Sequence, residues 1–261
     1  MGALLSQITT EPVIKPPMMM FHGKPGVGKT SFAASIEGVL FMLLEDGLGL
    51  HKVPHLPQPE SVEDVLAALH ELAAEDHGYK AIAIDTIDHL EPLVWEKVCR
   101  DGGKDGIEDF GYGKGYIKAD AVWQEFFRAL VALQNKGMVV VILAHDEMKV
   151  IDDPQVGSYV KVVPKLHKRA NAILKELPDI IGYLDTERVA VDQGEAGRRT
   201  THTSSSTGQR VLYLEDTGAF EAKNHYDLPT MIHIPKQNPY QALRVELVKA
   251  MGLDKKQKEA A

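Results

Sequence analysis

Cysteine is almost missing from this chain, with Cys99 the single example in 261 residues. One thiol excludes an intrachain disulfide and suits a reducing compartment. Long apolar runs are missing too. No stretch approaches the roughly 18 residues of a membrane span, and the first residues lack the basic and apolar regions of a secretory signal. A cytoplasmic location with no membrane partner is therefore expected. Positive charge is in deficit: 29 Lys and Arg against 37 Asp and Glu give a net charge of −8. That excludes a protein that coats nucleic acid by charge alone, so any such contact must be local. What is present is ordinary for a globular protein, at 44% apolar and 25% charged. No internal repeat or interdomain linker is visible. The expectation is one domain over 1–261, with a leader at 1–17, a core at 18–235, and a C-terminal helix and tail at 236–261.

The leader closes on Lys15-Pro16-Pro17, which cannot continue a helix. Apolar runs of strand length follow at 18–22, 39–44, 81–84 and 138–144, with helical patterns between them at 30–36, 61–75, 89–99 and 117–134. Ser61, three residues before Asp64, is an expected N-cap. Buried strands alternating with amphipathic helices predict an α/β fold with a mostly parallel sheet covered on both faces. Past Leu184 the pattern changes to short strands at 188–191, 210–214 and 231–234, which predicts an antiparallel C-terminal extension. Residues 193–209, rich in Gly, Ser and Thr, read as a loop, and the chain from Asn238 as one helix fraying into Lys255-Lys256-Gln257-Lys258.

The strongest chemical signal is Gly23-Lys24-Pro25-Gly26-Val27-Gly28-Lys29-Thr30, which matches G-x-x-x-x-G-K-[ST] at every required position. Glycines let such a loop curl so that successive N–H groups point at phosphate oxygens, and the following helix adds its positive end. Lys29 is then expected on the β- and γ-phosphates of ATP, and Thr30 on Mg²⁺. An apolar strand before the loop and a helix after it supply the required context.

Asp85 ends the run Ala81-Ile82-Ala83-Ile84, where a carboxylate can hold Mg²⁺ through a water; the alternative is a helix cap near His89. Glu45 ends the second apolar run, where a carboxylate can orient or deprotonate the attacking water, with Asp46 competing for that role. His145 ends the fourth run, placed either to bond the γ-phosphate or as a satisfied structural histidine.

These motifs together resemble a RecA-type ATPase core, most similar to the short phage members proposed as single-strand annealing proteins. Residues 39–45 resemble the strand that ends in that family's catalytic glutamate, and 142–149 the strand leading into its second DNA-binding loop. His145 stands where the family has a γ-phosphate-sensing glutamine. Residues 222–229 resemble a segment whose lysines reach a neighbouring subunit's ATP, which implies a catalytic role in trans for Lys223; His225 replaces the second lysine. The leader leaves no room for the family's polymerisation helix, so a ring or short filament of this chain is implied rather than a long one. The resemblance also implies single-stranded DNA as a partner, and with it a phage or host single-strand-binding protein. Two loops are implied to touch DNA, 101–118 with Lys114 and Lys118, and 149–169 with Lys161 and Lys165. Lysine gives sequence-blind phosphate contact, and the tyrosines beside them give stacking faces.

Two other classes stay open. A small-molecule kinase needs an arginine-rich lid, for which Arg198-Arg199 is the one adjacent pair. A nucleotide switch or loader would act on a partner protein instead of DNA.

Overall fold

The computed structural model describes residues 7–10, 14–192 and 202–253. Its elements are β1 (Met18–His22), α1 (Lys29–Ala34), β2 (Val39–Leu43), α2 (Val62–Ala74), β3 (Ala81–Asp85), α3 (Leu90–Gly102), α4 (Lys114–Asn135), β4 (Val139–Ala144), β5 (Asp146–Asp153), β6 (Gly157–Pro164), α5 (Lys168–Glu176), β7 (Ile180–Asp192), β8 (His202–Tyr213), β9 (Lys223–Asn224), β10 (Met231–Ile234) and α6 (Pro239–Ala250). Among the described residues eight strands form one sheet in the order β10-β8-β7-β1-β4-β3-β2, with β9 beside β7. From β7 to β2 the pairing is parallel; β8 and β10 extend the sheet antiparallel.

The central strands are apolar except for His22 and Asp85 at their carboxyl ends, because both faces are covered. Successive side chains point to opposite faces. Met18, Met20, Leu40, Met42, Ile82, Ile84, Val140 and Ile142 therefore join one core. Met19, Phe21, Val39, Phe41, Val141 and Leu143 join the other. The first core is closed by α2, α3, α4 and α5. Along α4 its contacts recur at Ala119, Val122, Trp123, Phe126, Leu130 and Leu133, the spacing of one helical face. The second is closed by α1 and α6, through Phe32, Ala33, Leu243 and Leu247. Ser61 caps α2 as expected: Asp64 N–H donates to its Oγ at 3.2 Å, and Ser61 N–H donates back to the Asp64 carboxylate at 3.0 Å.

Three sequence expectations are corrected. Residues 149–169 are not a loop but the antiparallel hairpin β5–β6 and the start of α5, with Met148 opposite Val162 and Val150 opposite Val160. Their period-two alternation is strand chemistry, outweighed in the reading by the scatter of lysines. Residues 101–118 are mostly helical, since α3 runs on to Gly102, a 3-10 turn follows at Ile107–Phe110, and α4 starts at Lys114. Residues 202–209 belong to β8, where the backbone pairs with β7; a Ser/Thr run reports nothing of pairing made by the main chain. Residues 193–201, with Arg198 and Arg199, and the lysines at 255, 256 and 258 lie outside the described residues.

Candidate active site

Four parallel strands lying side by side bring their carboxyl ends to one edge, and each delivers one of the expected groups there. β1 leads into the glycine loop, β2 into Glu45, β3 ends on Asp85, and β4 leads into His145. A cleft of about 370 Å³ at this edge is lined by Gly28, Lys29, Thr30, Glu45, Asp85 and His145 among others. Open parallel sheets bind ligands at this edge because helix starts and loop N–H groups face outward there.

The loop is held close to the sheet. Gly23 N–H donates to Ala144 O at 3.3 Å, and a methyl group on Gly23 would lie 2.3 Å from Leu184 O. Lys29 is buried, and its Nζ donates to the carbonyls of Gly23 at 2.7 Å and Lys24 at 3.2 Å. Burial lowers its pKa, opposed chiefly by the charge of Asp85. A buried ammonium hydrogen-bonded to neutral carbonyls is matched to an incoming anion.

Thr30 Oγ1 donates to Asp85 Oδ2 at 2.8 Å, and Asp85 is itself buried. That contact occupies the carboxylate at the P-loop and not at a helix cap. Burial raises the Asp85 pKa, with the Thr30 hydrogen bond opposing. A hydroxyl and a carboxylate side by side are the hard oxygen donors Mg²⁺ takes, with phosphate and water completing its shell. The residues present thus fit Mg²⁺ at Thr30 and Asp85, where the ion would neutralise phosphate charge.

Glu45 faces the same cleft. Thr86 Oγ1 donates to its Oε1 at 2.9 Å, His89 Nδ1 lies 3.3 Å from Oε2, and His145 Nε2 lies 3.8 Å from Oε1. Its neighbour Asp46 is exposed and does not line the cleft. Behind His145 stands Asp88, which accepts both the backbone N–H (3.0 Å) and the Nδ1–H (2.9 Å). Burial would raise the Asp88 pKa, but the hydrogen bonds from His145 outweigh it and hold the carboxyl at about 2. A carboxylate can only accept, so the ring proton sits on Nδ1 and Nε2 turns toward Glu45 and the cleft.

Such an arrangement has the chemistry to cradle phosphate, to hold a hard cation and to present a carboxylate to a water. Residues 15–226 match the model of the AAA domain family. The chain belongs to the AAA domain family. Curated proteins give no match to it. An AAA domain is a P-loop NTPase, and membership supports ATPase activity with ATP and Mg²⁺ as its usual requirements.

The remaining expected residues of this AAA domain lie outside the cleft. Lys223 is on β9, and its Nζ donates to Lys175 O and Glu176 O at 3.0 Å each, at the C-terminal end of α5. Lys114 and Lys118 are exposed on the first turns of α4, with Lys118 Nζ 5.8 Å from the centre of the Phe110 ring. Lys161 is ion-paired to Asp216 at 2.6 Å, while Lys165 is exposed after the hairpin.

Sequence reasoning missed Thr86, Asp88 and Glu91. Thr86 and Asp88 stand one and three residues past Asp85, so the density of polar groups at that strand end was the available signal. Glu91 gave none: a charged residue in an amphipathic helix reads as solvated, yet its carboxylate is buried and accepts from His167 N–H at 2.9 and 3.1 Å.

Proposed function

We propose that this AAA domain is an oligomeric ATPase that binds single-stranded DNA and promotes annealing or strand exchange, as in the short phage proteins of RecA type. ATP is hydrolysed at subunit interfaces of a ring or short filament, in the cytoplasm of a bacterial host. A phage or host single-strand-binding protein would share its substrate. The supporting observation is one ring contact. Tyr116 on α4 stacks on His167 at the start of α5, with centroids 4.1 Å apart and planes 12° apart. It joins the two segments resembling DNA loops, which are far apart in sequence. His167 N–H is held by Glu91, one helical turn from the Asp88 that holds His145. A change at the γ-phosphate end of the cleft thus has a packed route to both segments through one turn of chain. Exposed Tyr112, Lys114, Lys118 and Lys165 give stacking and phosphate contact there. Lys161, already paired, contributes less.

Lys223 keeps its proposed role on a neighbouring subunit's nucleotide. Within one chain it caps carbonyls of α5, and assembly would have to exchange those contacts for phosphate.

Anisotropy of a labelled single-stranded oligonucleotide, with Mg·ATP and with Mg·ADP at two salt concentrations, tests this reading. Tighter binding with ATP and a steep loss with salt are expected. Binding that ignores both nucleotide and salt would overturn it.

A second reading has its own support. One face of the β5–β6 hairpin exposes Met148, Val150 and Val160 by 68%, 68% and 56%. Apolar side chains so presented suit a protein partner, as in a nucleotide-switched loader.

A further inference from the structure

The sheet order sets where a terminal phosphate would lie. Asp85, Glu45 and His145 come from β3, β2 and β4, all on one side of β1. A nucleotide lying along the loop with its last phosphate among them would extend its nucleoside toward β7, β8 and β10 if it continues across β1. On that side Arg210 of β8 reaches the loop. A methyl group added to Gly28 would lie 2.4 Å from Arg210 Nη1 and 3.0 Å from its Cζ, so the guanidinium rests against the Gly28 backbone. With φ at +107° and no room for a side chain, position 28 requires glycine twice over.

Arg210 Nη1 is buried and has no hydrogen-bond partner among the described residues. A guanidinium carries five donors, and one left unpaired in the interior is costly until an acceptor arrives. Arg210 pairs in register with Thr186 of β7 and Ile234 of β10, near the carboxyl end of β10. It also lines a separate cleft of about 510 Å³ with Gln209, His233, Pro235, Lys236 and Ala242. Among the described residues that lining holds two cations, a histidine and an amide over an apolar floor, and no carboxylate.

We infer that the β8–β10 cleft takes the base and ribose of the nucleotide, and that Arg210 joins this subsite to the phosphate loop at Gly28. The inference rests on the P-loop ATPase reading and deepens it. Gln209 offers a donor and an acceptor suited to a base edge, Pro235 and Ala242 an apolar surface for its face, and Lys236 a cation for ribose or α-phosphate oxygens. The competing surface is residues 48–51, which line the phosphate cleft and where His51 Nε2 lies 3.0 Å from Ser31 Oγ.

Calorimetric titration with Mg·ADP and with Mg·tripolyphosphate separates the two parts of the site, since the second ligand has no nucleoside. Gln209→Ala combined with Lys236→Ala, both on the surface, should weaken ADP about tenfold or more and leave tripolyphosphate within about twofold. Arg210→Ala should weaken both ligands and Arg210→Lys recover part of the loss, with melting curves showing that each variant folds. Equal ADP affinity in the double variant and wild type would overturn the subsite, as would loss confined to Leu50→Ala or His51→Ala. If Lys29→Ala binds tripolyphosphate like wild type, the P-loop reading fails, and the subsite with it.

Discussion

Asp88 grips His145 at two points, accepting its backbone N–H at 3.0 Å and its ring Nδ1–H at 2.9 Å. The two contacts fix both the start of β5 and the tautomer of the imidazole, leaving Nε2 toward the cleft. In Asp88→Asn the amide can still accept one of these bonds, but its NH₂ group faces the other donor. A loss of about 1–3 kcal/mol in stability is expected for the unpaired group. Phosphate release should slow at least tenfold while Mg·ATP affinity stays near wild type. An unchanged turnover number would show that the orientation of His145 does not matter to hydrolysis.

Glu45 and Asp46 are adjacent in sequence, yet only Glu45 lines the cleft. Glu45→Gln should bind Mg·ATP and turn over about 10²-fold more slowly or worse, as for a lost general base. Asp46→Asn should be close to wild type. Single-turnover kinetics on the two variants decide it, and the reverse pattern would move the base to Asp46.

The sheet and its phosphate edge were legible because their causes are local. Apolar strand runs, the Ser61 cap and the glycine loop each act within a few residues. The hairpin β5–β6 was less so, because its alternation is broken by lysines that find partners only in the fold, Lys161 on Asp216 and Lys149 on Leu166 O. Glu91, Asp88 and Arg210 owe their positions to contacts far along the chain: Asp88 to His145 just past β4, Glu91 to His167 at the start of α5, Arg210 to Gly28 of the P-loop. No window of sequence carries those. Lys223 shows the same limit from the other side, since its exposure and partners follow from where α5 ends.

Glu91 sets a pH dependence. Burial pushes its carboxyl up to about 7 from the ordinary 4.5, against the pull of the His167 N–H and of Lys149, with Glu147 and Asp88 adding repulsion. A raised pKa means that unfolding releases a proton, so the contribution is full below about pH 4.5 and lost as pH rises through 7. Melting temperature should therefore fall between pH 5 and pH 8 by an increment that Glu91→Gln lacks. Allowing for solvent near the carboxyl, the stability lost over that range is about 1–2 kcal/mol. Identical slopes in the two proteins would place the titrating group elsewhere.

Lys223 is tested by mixing two inactive variants, Lys29→Ala and Lys223→Ala. The first lacks its phosphate-loop cation and keeps Lys223; the second does the reverse. If Lys223 acts on a neighbour's nucleotide, co-assembled mixtures regain part of the ATPase activity, since a cation supplied in trans can be worth roughly 10³-fold. No recovery in a mixture shown to co-assemble would leave Lys223 as a cap on α5 alone.

Coupling between ATP turnover at the P-loop and single-stranded DNA is tested most directly by measuring phosphate release during titration with single-stranded or duplex DNA, at two salt concentrations. Turnover should rise with single strands more than with duplex, and the DNA concentration needed should climb steeply with salt. Replacing Lys114, Lys118 and Lys165 together should shift that requirement upward and leave the rate without DNA unchanged. A wild-type rate that is the same with single strands, with duplex and with no DNA would contradict the coupling.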